Sequence, residues 1–255
     1  MSKIQEVKQY DLDDPKRTLM HREIILEKPF LKKLYTKWYK SFIKSVEVTD
    51  GKYLEIGSGG GFLKDIFPQV ITSDILKLET VDIICDAENL PFADNSLAGI
   101  MMLNVFHHIP RPYLFLKEAE RTLVNGGKIV MIEPANTFFS RFIYTNFHHE
   151  PFDPKGKMEI EQGNPLSNSN QALPYIYFKR EIEDFKKKYP LLKIKKIAPH
   201  TPFLYVISGG LSRKSMLPGS LFGLANFGEK IFSVFNKLFG LFYYIEIEKC
   251  PTCSQ

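Results

Sequence analysis

The run Glu55-Ile56-Gly57-Ser58-Gly59-Gly60-Gly61-Phe62 holds the residue types that build a ligand loop. Glycine lets a backbone turn sharply and come close to a bound molecule. A helix opening behind such a loop offers free N–H groups and partial positive charge. The spacing is Glu-x-Gly-x-Gly-x-Gly, not the Gly-x-Gly-x-x-Gly of dinucleotide sites, and no Lys-Ser or Lys-Thr follows to make a phosphate loop. Glu55 stands just before the glycines, where it would repel a pyrophosphate, so the loop suits a cationic or zwitterionic ligand. Two more acids follow at the ends of the next apolar runs. A carboxylate at Asp74 can accept two hydrogen bonds from a ribose diol. One at Asp86 can accept from an adenine amino group, with small Ala87 leaving room for the ring. Each Asp alone reads equally well as a solvated loop acid; their recurrence at successive strand ends carries the reading.

These residues need strand ends to hold them. Residues 52–56, 70–74, 81–85, 97–103 and 128–132 read as short apolar strands, and 62–67 and 114–123 as helices between them. Pro68 and Asn125-Gly126-Gly127 stop the two helices. That alternation predicts a doubly wound parallel α/β sheet. Upstream, 1–17 reads as a loose charged tail, and 18–46 has helical periodicity with Pro29 opening a second helix. Downstream, 135–178 breaks the alternation with Pro, Asn, Gly and Ser and reads as a long excursion over the carboxyl edge of the sheet. A basic helix at 179–189 and a strand at 191–197 follow. Residues 203–241 are apolar and helical in pieces, broken at Gly209-Gly210 and Pro218-Gly219, before a final strand at 242–248.

The motifs together resemble the class I S-adenosylmethionine-dependent methyltransferases, in particular the group containing ubiquinone and menaquinone biosynthesis methyltransferases. The carrying residues are Leu54 to Gly61, Ser73-Asp74-Ile75, and Cys85-Asp86-Ala87-Glu88-Asn89-Leu90-Pro91-Phe92, then Asn104-Val105-Phe106-His107-His108-Ile109 and Glu120 to Gly127. The likeness spans about 50–134, roughly a third of the chain, and is specific for the cofactor but not the acceptor. It implies that Gly57, Ser58 and Gly59 wrap the methionine part, with Gly61 completing the loop and Glu55 holding the amino group. Asp74 would bind the ribose, and Asp86 and Ala87 would contact adenine. Asn104 and Val105 would lie beneath the sulfonium, and His107 would face the reaction cleft. Where the family commonly has Gly-x-Asp, this chain has Thr72-Ser73-Asp74, which keeps the acid. The expected fold is a Rossmann-like, seven-stranded, mostly parallel sheet with an antiparallel last strand and helical additions at the N-terminus and before that strand. The expected division is 1–49 tail and helical cap, 50–134 cofactor core, 135–178 lid, and 179–250 the C-terminal half of the sheet.

Methyl transfer from a sulfonium needs a base only if the acceptor loses a proton. His107 falls at a position where the family often carries a His pair, so packing is favoured over catalysis as its role. Phe147-His148-His149-Glu150-Pro151 is more unusual, and His149 with Glu150 could form an oriented base. The same residues also read as metal ligands or as an inert lid segment; no metal is expected. Cys250-Pro251-Thr252-Cys253 has no second pair to complete a zinc site, and 3 cysteines suit a reducing cytoplasm.

A 255-residue chain with 44% hydrophobic and 25% charged residues is ordinary globular composition, which excludes disordered and coiled-coil classes. The net charge of +5 is too weak to argue nucleic-acid binding. Asn104-Val105-Phe106-His107 replaces the Asn-Pro-Pro-Tyr type of signature, so nucleic acid is not the expected acceptor. The polar start MSKIQEVKQYDLDD is not a secretory signal, and no uncharged window reaches the roughly 20 residues of a spanning helix. The aromatic residues are skewed: 21 Phe, with a dense group from Phe203 to Phe242. Leu224, Gly228, Ile231, Phe235, Leu238 and Phe242 make one helical stripe there, readable as a cap, a homodimer interface or a peripheral membrane contact. The function expected is methyl transfer to an oxygen of a small-molecule, glycan or lipid-linked acceptor, in the cytoplasm or at the inner face of its membrane. The rival is a catalytically silent methyltransferase-like subunit that binds a partner through the Phe-rich segment.

Overall fold

The computed structural model describes residues 3–46, 51–161, 163 and 166–251, and Cys253 lies outside them. Helix α1 (Pro15–Glu27) starts where Asp14 accepts a hydrogen bond from the Lys16 N–H and Pro15 presets the first turn. Lys28 ends it, and Pro29 opens α2 (Pro29–Val46), whose Phe30, Leu34, Trp38 and Phe42 recur along one buried face. Strand β1 (Lys52–Ile56) leads into the short α3 (Leu63–Ile66), then β2 (Val70–Asp74), β3 (Ile83–Ile84) and β4 (Leu97–Leu103). Helix α4 (Pro112–Thr122) runs directly into β5 (Leu123–Pro134). Next come α5 (Phe138–Phe147), α6 (Ile182–Lys188), β6 (Leu192–His200) and α7 (Leu204–Ser208). The chain ends with α8 (Phe222–Phe232), α9 (Asn236–Phe239) and β7 (Phe242–Lys249).

The sheet order is β3-β2-β1-β4-β5-β7-β6. The first five strands pair in parallel, while β7 lies antiparallel between β5 and β6. Register aligns the strand ends: Ile56 lies beside Ser73 and Met102, and Leu103 beside Ile132. Gly57, Asp74, Asn104 and Glu133 therefore emerge along one carboxyl edge. One core lies on the face covered by α4, α6 and 172–178, built around Phe106, Phe115, Tyr177 and Phe178. The other lies on the face covered by α2, around Trp38, Phe42, Phe62 and Phe242.

Several local expectations differ. Residues 3–17 are folded down rather than a loose tail: Lys3–Glu6 is helical, Val7 is buried, and the Arg17 guanidinium donates to the Tyr10 carbonyl at 2.7 Å. The third strand is only Ile83–Ile84, because Asp82 is occupied in accepting from the Thr72 N–H at 2.9 Å and the Thr72 hydroxyl at 3.0 Å. In 135–178 the structure places a full helix, α5. A capping box starts it: Thr137 Oγ1 accepts from the Ser140 N–H at 3.1 Å, and Ser140 Oγ accepts from the Thr137 N–H at 2.7 Å. Cys85 is buried and its thiol is pushed up to about 11 by burial.

Candidate active site at the carboxyl edge

The glycine loop is shaped by contacts on both sides. Gly57 adopts φ +64, and a Cβ there would stand 2.5 Å from Val105 Cγ2. At Gly60 a Cβ would stand 2.8 Å from the Arg22 backbone nitrogen, so α1 rests directly on the loop. The Arg22 guanidinium also donates to the Gly61 carbonyl. Behind the loop, Asp74 is buried and its two oxygens accept from the N–H groups of Gly59 and Leu76, each at 2.9 Å. Burial raises its pKa, which those bonds partly offset. Asp86 Oδ1 accepts from the Glu88 N–H at 2.9 Å. Asn104 sits in the left-handed region at φ 56, and its Oδ1 is buried with no hydrogen-bond partner.

Glu55 is the electrostatic outlier. It is 3% exposed, and burial pushes its carboxyl up to about 7, with Asp74 adding to the shift and the Ser58 hydroxyl opposing it. Its Oε2 has no partner. A buried carboxylate oxygen left free is costly unless a cation or donor arrives to meet it.

Two cavities adjoin along this edge and share Gly57 and Asn104. One of about 410 Å³ is lined by Gly59, Asp74, Asp86, Ala87 and Val105. The other, about 290 Å³, is lined by Glu55, Ser58, Gly61, His107, His149 and Glu150. Every site residue expected from the sequence thus lines one or the other. Of the 6 histidines, all but His200 line the second cavity. His200 is half-buried elsewhere beside Thr201, and loss of hydration pushes it down to about 3.

A buried charge chain crosses the second cavity. Glu133, fully buried at the end of β5, accepts from the N–H groups of Val105 at 2.7 Å and Phe106 at 2.8 Å. Its other oxygen takes His107 Nδ1 at 2.7 Å. His107 Nε2 lies 3.3 Å from Glu150 Oε2, and His108 Nε2 lies 3.8 Å from Glu150 Oε1. Burial alone would depress the His107 ring, but Glu133 and Glu150 together lift it to about 9. Glu150 also resists ionisation by burial, yet His107 and its histidine neighbours hold its carboxyl far below the ordinary range. Gln171 donates to Glu150 at 3.0 Å and also meets His148 Nδ1. His149 is more open, with 57% of its side chain exposed and Nε2 3.7 Å from Glu150 Oε1. His21 and His108 are each pushed down to about 4 by burial, so they are neutral at pH 7.

The grip of Glu133 on the Val105–His107 turn shows in three dimensions alone. Gln171, Tyr144, Tyr205 and His21 were not anticipated, since no local spacing links them to the glycine loop.

Residues 54–131 match the family described as a methyltransferase domain. An uncharacterized protein of Methanocaldococcus jannaschii is 32% identical over 115 residues, covering 38% of this chain and 56% of that protein, so the match spans about half of the relative. Among solved structures, a SAM-dependent methyltransferase from Archaeoglobus fulgidus aligns with TM-score 0.50 and 18% identity, over 85% of this chain and 94% of that one. The geranyl diphosphate C-methyltransferase of Streptomyces coelicolor A3(2) aligns with TM-score 0.50 and 14% identity, over 93% and 86%. At such identities the likeness speaks for the fold. With the 54–131 match, it gives the chain a methyltransferase domain on the Rossmann-like, 3-2-1-4-5-7-6 fold that S-adenosylmethionine-dependent methyltransferases adopt.

Proposed function

We propose that the chain transfers a methyl group from S-adenosylmethionine to an oxygen of a small-molecule, glycan or lipid-linked acceptor held in the histidine-lined cavity. One observation carries this reading: the orphaned, buried Oε2 of Glu55 faces the cavity that also holds His107 and Glu150. The residues present fit the cofactor. Glu55 would hold its ammonium group, and that cation would restore a carboxylate that burial has pushed up to about 7. Gly57, Ser58, Gly59 and Gly61 would enclose the methionine portion. Asp74 would take the ribose, Asp86 and Ala87 the adenine, and Asn104 and Val105 would lie beneath the sulfonium. When bound, the cofactor supplies the electrophilic methyl group, and the protein supplies alignment, worth roughly 7–11 kcal/mol.

On the acceptor side, His107 is held as a cation between Glu133 and Glu150, so it orients rather than takes a proton. Glu150 is the fully ionised group facing the cavity. An acceptor hydroxyl would donate to it and so be aimed at the methyl group. The proton released as the new bond forms would pass to Glu150 and on to half-open His149. Calorimetry with S-adenosylhomocysteine tests the cofactor half, and failure to bind would return the chain to the silent-subunit reading. A labelled methyl-donor assay on cell-extract fractions, with the product identified by mass, tests the acceptor half. Methylation at nitrogen or carbon would overturn the oxygen assignment.

A further inference from the structure

The exposed large apolar side chains are concentrated in two segments. On α5 they are Phe138, Phe142 and Phe147, and Phe138 is 76% exposed. Over 216–238 they include Leu224, Phe227, Ile231, Val234 and Leu238, with Val234 also at 76%. Beyond α5 and 216–238, only Ile75, Ile84 and Val206 among the described residues are large, apolar and exposed.

The same helices have a distinct inner face, on which Glu229 is buried and Phe232 and Phe239 are half-buried. Phe232 packs on Phe203 at 4.7 Å and on Phe239 at 5.4 Å, and Phe239 reaches Phe139 of α5 at 6.0 Å. Glu229 turns inward too, where it accepts from the N–H groups of Phe203 at 3.1 Å and Leu204 at 2.9 Å. Helices α8 and α9 are therefore apolar on both sides, as an element covered on both sides would be.

Charge says what covers the outer side. Across 136–147 and 201–242 the cations are Arg141, Arg213, Lys214, Lys230 and Lys237. Glu229 is the sole acid in those stretches, and it is buried. A second copy docked face to face would set cation against cation with no acid to separate them. An anionic bilayer satisfies both features: apolar side chains enter below the headgroups while Lys and Arg meet lipid phosphates. No helix among the described residues is long and apolar enough to cross a membrane, so the contact is lateral.

We infer that α5 with the 216–238 segment is an interfacial docking surface for an anionic membrane. The surface backs onto the acceptor cavity: Tyr144 of α5, Tyr205 of α7 and Leu211 just after it line that cavity from within. Insofar as it concerns acceptors, this rests on the methyl-transfer reading and narrows it to molecules carried in or on the lipid; the docking itself does not depend on catalysis.

The test is flotation of the full chain with phosphatidylglycerol–phosphatidylcholine vesicles, against phosphatidylcholine alone and against high salt. Partitioning should fall at least about tenfold in the neutral vesicles and at high salt. An Ile231→Glu/Leu238→Glu variant should lose flotation while keeping its circular dichroism spectrum and its S-adenosylhomocysteine affinity. Absence of flotation with the anionic vesicles, or a double variant that floats equally well, overturns the inference. So does a dimer in sedimentation velocity that the double variant abolishes without any vesicle binding. Loss of homocysteine-analogue binding in the parent chain would sink the methyl-transfer reading and leave the flotation result standing.

Discussion

The edge formed by 50–134 and the surface formed after 135 treat polar groups in opposite ways. Along the first, Glu55 and Asp74 are buried where they line a cavity, Glu55 with a free oxygen, and Glu133 is fully buried behind them. On the second, the sole acid of 201–242 is turned inward and the outside is apolar with scattered cations. The difference teaches that the two regions are built for different kinds of contact. A small charged ligand is recognised by a few costly, well-aimed groups, whereas an extended surface is recognised by area and average charge.

The largest effect should come where the two regions are joined. Glu133→Gln removes the carboxylate that holds Val105, Phe106 and His107, and it should cost about 3–5 kcal/mol in denaturant unfolding. Part of that is linked to protonation. His107 is lifted to about 9 from an ordinary 6.5, so its stabilising proton is fully present below about 6.5 and is lost as pH rises through about 9. The gap between wild type and variant should therefore narrow from pH 6.5 to pH 9.5. A gap that stays constant would mean that the backbone bonds alone carry the effect.

Next is Glu55→Gln, where function and stability should move in opposite directions. Burial raises this carboxyl from 4.5 to about 7, so stability declines as pH rises through that window. The variant should be more stable than wild type at pH 8, by up to about 3 kcal/mol, while calorimetry shows weaker S-adenosylhomocysteine binding. Wild-type affinity should also drop as pH falls below about 7. A variant that binds equally well would remove Glu55 from the cofactor site and weaken the contrast between the regions. The smallest effect belongs to the outer surface. Val234→Glu should shift stability by no more than about 0.5 kcal/mol, because nothing in the fold covers that side chain. A much larger loss in thermal melts would show that the surface is part of the core after all.

Much of the first region was legible in the sequence because its signals are local. Strands 52–56, 70–74 and 97–103 have the predicted ends, since each is an apolar run stopped by Gly, Asp or Asn at the edge. The glycine spacing and the acids after each strand picked out residues that line the two cavities. The second region resisted because its decisive relations are not local. Helix α5 begins on a two-residue capping box inside an aromatic stretch that shows no clear period. Glu150 reaches His107 only because the excursion folds back and Asn170 ties to the His107 carbonyl at 3.0 Å. The stripe of Leu224, Ile231 and Leu238 was visible as a stripe; which way it faces depends on Phe232 and Glu229 finding partners at 203–204.

The position of β7 has one more consequence. His200 of β6 lies in register with Phe242 of β7, and the two strands run antiparallel. Everything from 201 to 241 is thus, topologically, the connection of a single hairpin, its two ends held roughly 5 Å apart by the ladder. Chain length between such ends is cheap, since doubling a loop costs only about 0.6 kcal/mol. The segment is a cassette slotted into a closed joint. Its length is therefore not dictated by the strands that hold Gly57, Asp74 and Asn104.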